Sequence, residues 1–248
     1  MVMSSNETSF FKVVNLDMNF GSMEALKKVT LEVRKGMIFG IAGPNGAGKT
    51  TLLNVISGAI KPTRGEVYLD GERLAGLKPM AICHRGIARI FQIPAVFPTL
   101  TVLDNIRVGN VFGQTSMKRS SKSLDEIIDF VGLKGKENVL AANIDLYSRK
   151  LLMLAAALAT GPKVLLLDEP LGGLNFREID AYLALVKELN KDMGITILVV
   201  EHLFDKLVEI SEEILILYFG QPIYLGPSDR VVEDKKVVEV YLGIQQHA

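Results

Sequence analysis

A chain of 248 residues can bury one full hydrophobic core, and 48% hydrophobic against 23% charged residues excludes a disordered polypeptide. Lys and Arg number 28, as do Asp and Glu, so no charge excess points to nucleic acid or an anionic membrane surface as partner. The single cysteine, Cys83, excludes an internal disulfide and suits a reducing compartment.

The N-terminal stretch MVMSSNETSFF lacks a basic segment followed by a long apolar run, so no secretory leader is expected. Alternating residues over 12–20 and 27–36 predict antiparallel strands flanking the core. The continuous apolar run at 37–43 predicts a strand buried on both faces, as do 86–91, 163–168 and 195–200. Helical patterns lie between them, at 49–57, 177–190 and 203–211. Residues from about 97 to 160 break the alternation. They hold helix-like segments at 101–109, 123–133 and 150–160, and a polar stretch at 113–123. The longest apolar tract, LLMLAAALATGPKVLLL, is cut at Gly161-Pro162-Lys163 and reads as helix, turn, strand. It falls short of the roughly 20 residues a bilayer-spanning helix needs, so a chain soluble by itself is expected. The expected fold is α/β: a core with a mostly parallel sheet and an antiparallel β subdomain (1–96 and 161–248), and a helical subdomain (97–160).

The strongest chemical signal is GPNGAGKTT: Gly43, Pro44, Asn45, Gly46, Ala47, Gly48, Lys49, Thr50 and Thr51. It matches GxxxxGK[ST] between a predicted strand and a predicted helix, the context of a phosphate-binding loop. Its glycines let backbone N–H groups turn onto phosphates, and the helix N-terminus adds a favourable dipole. Lys49 would reach the β- and γ-phosphates and Thr50 would ligate Mg²⁺. A second signal is VLLLDEP. It places Asp168 at a strand's C-terminal end as a magnesium carboxylate, with Glu169 next to it to orient or deprotonate the attacking water.

With these motifs in hand, nearly the whole chain resembles the nucleotide-binding subunits of ABC transporters. The likeness runs through GPNGAGKTT, ARIFQ, LLLDEP, GGLN and VVEHLFDKL. It is closest to the branched-chain amino acid importer ATPases, especially the longer of their two subunits, in NFGSMEAL, GIARIFQIPAVFPTLTVLDNI and VVEVYLG. The resemblance implies a P-loop ATPase fold with ATP and Mg²⁺ as ligands. It implies Phe20 as the ring against adenine, Gln92 as the residue that touches Mg²⁺ and senses the membrane partner, and His202 as the contact to the γ-phosphate. It further implies a second ATP-binding subunit, two membrane permeases and, indirectly, an extracytoplasmic binding protein. The location it implies is the cytoplasmic face of the membrane, with residues around 93–105 as the docking surface.

One segment departs from that family. Its LSGGQ-type signature falls on Ile144, Asp145, Leu146, Tyr147 and Ser148, without the Ser at 145 or the Gly at 147. Asp145 would turn a carboxylate toward a polyanion; like charges about 4 Å apart repel by roughly 4 kcal/mol at an effective dielectric near 20. Tyr147 would add bulk where backbone must approach. Position 156 is Ala where the family usually carries Arg. The expectation is an ATP hydrolase that forms one half of a heterodimer, with branched-chain or other hydrophobic amino acids as the transported substrate. The alternatives are a regulatory subunit that binds nucleotide with little hydrolysis, and the same role in a urea or amide importer. A GTPase is disfavoured because NKDMG puts Asp192 one position too early for a base-reading NKxD.

Overall fold

The computed structural model describes residues 9–113 and 122–243. Most of the polar stretch expected at 113–123 therefore lies outside the described residues. Two sheets organise the rest. A four-stranded antiparallel sheet has the order β2-β1-β4-β5, from β1 (Phe11–Phe20), β2 (Met23–Val33), β4 (Arg64–Leu69) and β5 (Glu72–Arg73). A six-stranded sheet has the order β10-β9-β3-β8-β7-β6. It is built from β3 (Ile38–Ala42), β6 (Ile87–Ile90), β7 (Val164–Asp168), β8 (Thr196–Val200), β9 (Glu213–Tyr218) and β10 (Gln221–Pro227). All its pairings are parallel except β9 with β10. The expected α/β class and the antiparallel pairing of the opening segments are both present.

The apolar runs are continuous because each parallel strand is covered twice. In β7, Val164 and Leu166 enter a core shared with the antiparallel sheet and α1 (Lys49–Ile56), while Leu165 and Leu167 enter a second core. That second core holds α5 (Leu146–Ala159) and α6 (Phe176–Met193). With a side-chain period of two, only an unbroken apolar sequence satisfies both faces. Among the described residues the remaining α-helices are α2 (Pro79–His84), α3 (Val102–Phe112), α4 (Leu124–Phe130), α7 (Phe204–Ile210) and α8 (Lys235–Gly243).

Capping fixes where the helices begin. In α6 the Asn175 side chain accepts from the Arg177 and Glu178 backbones while Glu178 reaches back to the Asn175 N–H, and Gly194 closes the other end in a left-handed conformation. This helix is longer than the expected 177–190. Asn190 near its end donates to the Gly36 and Ile195 carbonyls, so the NKDMG stretch staples helix to sheet. The larger correction is at α5. The expected segment 150–160 in fact starts at Leu146, because Asp145 is an N-cap whose carboxylate accepts from the Ser148 N–H at 2.7 Å. Asp145 therefore opens a helix, and its neighbours follow helical rather than loop geometry. Where α3 and α5 cross, both are small: a Cβ on Gly109 would come within 2.1 Å of the Ala156 carbonyl oxygen.

Candidate functional site

Strand β3 ends at Ala42 and α1 begins at Lys49, so residues 43–48 form a tight loop between sheet and helix. Two glycines are obligatory there. Gly43 has φ +145° and a Cβ would meet the Leu217 carbonyl oxygen at 2.1 Å; Gly48 has φ +102° and a Cβ would meet that of Ala25 at 2.6 Å. Each closes against a different strand, so the loop is gripped between β9 and β2. The Lys49 ammonium is buried and donates to the Gly43 and Pro44 carbonyls at 2.8 and 3.0 Å. Burial lowers its pKa, while the carboxylates of Glu169 and Asp168 pull the other way. Burial also raises the Tyr241 phenol of α8, to about 12, against a hydrogen bond from the Gly43 backbone. The C-terminal helix thus touches the start of the loop.

Asp168 closes β7 and pairs in register with Val200 of β8. Its Oδ2 accepts from Arg89 Nη2 at 2.6 Å, and Arg89 Nη1 donates to Asn54 of α1 and to Ser57, the cap at its C-terminal end. The guanidinium also lies 4.7 Å over the Phe91 ring. Glu169 follows in a left-handed conformation, φ +50°, unusual for a non-glycine residue. The turn brings Glu169 between two side chains from distant parts of the chain. Gln92 Nε2 donates to its Oε2 at 2.5 Å, and His202 Nε2 stands 2.5 Å from its Oε1.

One cleft of about 470 Å³ gathers Phe20, residues 45–51, Glu169 and His202. Gly43 and Pro44 reach it through Lys49, Gln92 through Glu169, and Asp168 through its charge on Lys49. Phe20 is about half exposed on its edge. The fit to a nucleoside triphosphate and a divalent cation is sound on these grounds. Gly43 and Gly48 admit no Cβ, a buried amine faces the loop, and a carboxylate, an amide and a hydroxyl (Asp168, Gln92, Thr50) supply hard oxygen donors.

Sequence reasoning missed three contributors. Glu201 is buried and accepts from the backbones of Leu171 and His202, so it ties together the segments that follow Asp168 and Val200. Burial pushes its carboxyl pKa up, against those two hydrogen bonds. Arg89 sat unread inside ARIFQ. Phe219, on the turn between β9 and β10, lines the cleft with no signal in the sequence beyond its aromatic character.

The signature segment lies elsewhere on the surface. Besides the Ser148 N–H, the Asp145 carboxylate accepts from the Ser148 hydroxyl at 2.9 Å, and Lys136 Nζ donates to that hydroxyl at 2.8 Å. The backbone bond from Ser148 chiefly holds the Asp145 carboxyl below the usual aspartate range. The bulk expected at Tyr147 turns inward: its ring packs half-buried on the core, and Leu146 is the side chain left to solvent. Helical spacing forces that choice, since only one of two adjacent positions faces inward.

A strand–glycine loop–helix with a buried lysine, a carboxylate at the neighbouring strand end and a Glu–His pair define a phosphate-loop ATPase. The ABC transporter family matches residues 26–172. The branched-chain amino acid transport ATP-binding protein BraF of Pseudomonas aeruginosa is 31% identical over 94% of this chain and 97% of its own. The probable branched-chain amino acid transport ATP-binding protein LivG of Archaeoglobus fulgidus is 33% identical over 93% and 94%. Among solved structures, the ADP conformation of MJ1267, an ATP-binding cassette of an ABC transporter, superposes with TM-score 0.85 at 31% identity, over 95% of this chain and 99% of that one. The dimeric cassette MJ0796 bound to ADP and Pi superposes with TM-score 0.76 at 27% identity, over 88% and 98%. The chain belongs to the ABC transporter ATP-binding family, whose members couple ATP hydrolysis to transport.

Proposed function

We propose that this chain is the ATP-binding subunit of an importer for branched-chain or other hydrophobic amino acids, working through separate membrane subunits and paired with a different ATP-binding subunit. The substrate class rests on the likeness to BraF and LivG. ATP would lie with its base near Phe20 and its phosphates on residues 43–51. Thr50, Asp168 and Gln92 would hold Mg²⁺, which when bound neutralises phosphate charge. Glu169 is the base that orients and deprotonates water, and His202 holds that carboxylate and reaches toward the γ-phosphate. Among the described residues no helix is long and apolar enough to cross a membrane. A peripheral position on the cytoplasmic face agrees with that.

The observation that carries the heterodimer is the Asp145 cap. A helix N-terminus offers phosphate its free N–H groups and positive dipole end. At α5 that offer is already taken by a carboxylate, so this subunit is a poor lid for a partner's ATP. Its own cleft, with Glu169 and His202 in place, needs a sound signature from another chain. We also assign the helical subdomain at 97–160 the contact with membrane subunits. Ile93, Phe97 and Phe91 are exposed beside an apolar groove of about 370 Å³ lined by Val96, Met153 and Ala156. Val102 and Asn105 of the expected docking stretch are buried instead, Asn105 bracing the loop through Phe97 and Thr101.

The test uses this subunit mixed with its partner cassette. Glu169→Gln should abolish nearly all ATP turnover, and largely retained turnover would contradict the reading. The Asp145 cap also favours a second reading, a regulatory subunit that binds ATP with little hydrolysis. Under that reading Glu169→Gln leaves turnover unchanged while ATP binding persists.

A further inference from the structure

The turn joining β9 to β10 consists of Phe219 and Gly220, with φ +46° and +76°. Two consecutive left-handed residues make a type I′ hairpin turn, whose first position favours Asn, Asp or Gly. A bulky aromatic there is strained. The surroundings leave the turn no freedom to relax. The Gly220 N–H donates to the Ala47 carbonyl of the phosphate loop at 3.0 Å, and the Gly220 carbonyl accepts from Lys27 of β2 at 2.8 Å. A Cβ on Gly220 would meet the Ala25 oxygen at 2.6 Å. The strained turn is thus fastened on one side to the phosphate loop and on the other to the strand that follows Phe20.

The ring does not repay that strain by burial. It is 70% exposed and meets the Tyr218 ring edge-on, with centroids 4.5 Å apart. It faces the cleft that holds Phe20, Lys49 and Glu169. A phenyl ring offers a phosphate no hydrogen bond, whereas it gains from stacking on a flat heteroaromatic base.

We propose that Phe219 is a second aromatic wall of this cleft, acting with Phe20 to hold the nucleobase. The proposal rests on the reading of the cleft as an ATP site. The discriminating ligand pair is ATP and inorganic tripolyphosphate, which shares the phosphates and lacks the base. Asn fits the left-handed position, so Phe219→Asn removes the ring and keeps the turn.

By calorimetry on the purified full chain, Phe219→Asn should weaken ATP binding about 5- to 150-fold and leave tripolyphosphate binding unchanged. Phe219→Tyr should bind ATP like the parent. The thermal midpoint of ligand-free Phe219→Asn should equal or exceed the parent's, because strain is relieved. Parent-like ATP affinity in Phe219→Asn overturns the proposal. So does an equal loss for ATP and tripolyphosphate, which would mean the ring acts through the phosphate loop, and so does a clear fall in the midpoint. Failure of the parent itself to bind ATP would instead refute the ATP site.

Discussion

Arg89 Nη2 donates to Asp168 Oδ2 at 2.6 Å with both side chains almost wholly buried. The same guanidinium reaches Asn54 and Ser57, so the strand carrying Asp168 and the helix behind the phosphate loop share one cation. Breaking such a pair by removing one partner leaves an uncompensated buried charge, which costs about 3–5 kcal/mol. Arg89→Met should therefore lower the unfolding free energy by about that amount in urea titrations. Adding Asp168→Asn to it should cost much less than the sum of the single changes.

Asp145 should behave as a helix cap with a titratable signature. Asp145→Ala removes the acceptor for the Ser148 N–H and should cost about 1 kcal/mol, while Asp145→Asn keeps the cap without the charge. The folded carboxyl is held below its unfolded value by the Ser148 backbone bond. Its contribution is therefore full above the ordinary aspartate pKa and is lost as pH falls through the lower, folded value. The stability difference between the parent and Asp145→Asn should be constant above about pH 5 and shrink below about pH 4. A pH series of denaturant melts measures it.

The two outer glycines of the loop should differ sharply from the middle one. A Cβ at Gly43 meets a backbone oxygen, whereas at Gly46 none of the described residues lies within 4 Å. Gly43→Ala should lose more than about 1 kcal/mol of stability and bind nucleotide poorly. Gly46→Ala, strained only by its φ of +77°, should lose about 1 kcal/mol and keep binding. Thermal melts with and without ATP distinguish the two.

His202 stands against the Glu169 carboxylate, and Glu201 fixes its backbone. His202→Ala should lower ATP turnover of the two-cassette complex by about 100-fold or more with little change in ATP affinity. Single-turnover kinetics beside equilibrium binding separates these effects. A fall in affinity matching the fall in rate would assign His202 to binding alone.

What was legible in the sequence follows from how local each determinant is. The phosphate loop could be read because its glycines, lysine and flanking elements occupy a few consecutive residues. The buried strands at 37–43 and 163–168 announced themselves by runs that satisfy two cores at once. Arg89 with Asp168, and Gln92 with Glu169, are pairs separated by 79 and 77 residues, so neither sequence neighbourhood contains the other's half. The family resemblance names Gln92 and states no role for Arg89. β9 escaped although ILILY has the required apolar run. Its place beside β3, setting the Leu217 oxygen against Gly43, is known only once the sheet is assembled. The start of α5 is not legible in the sequence because an Asp at 145 reads equally as a damaged phosphate contact or as a cap, and only its bond from the Ser148 N–H decides.

The proposed function requires that residues 43–50, with Asp168 acting on Lys49, hold the triphosphate. Titration calorimetry of Mg-ATP into the folded chain tests it most directly. The parent should give a saturable heat of binding, lost in Lys49→Ala with the thermal midpoint of the ligand-free protein retained. No heat from the parent, or the same heat from Lys49→Ala, would contradict it.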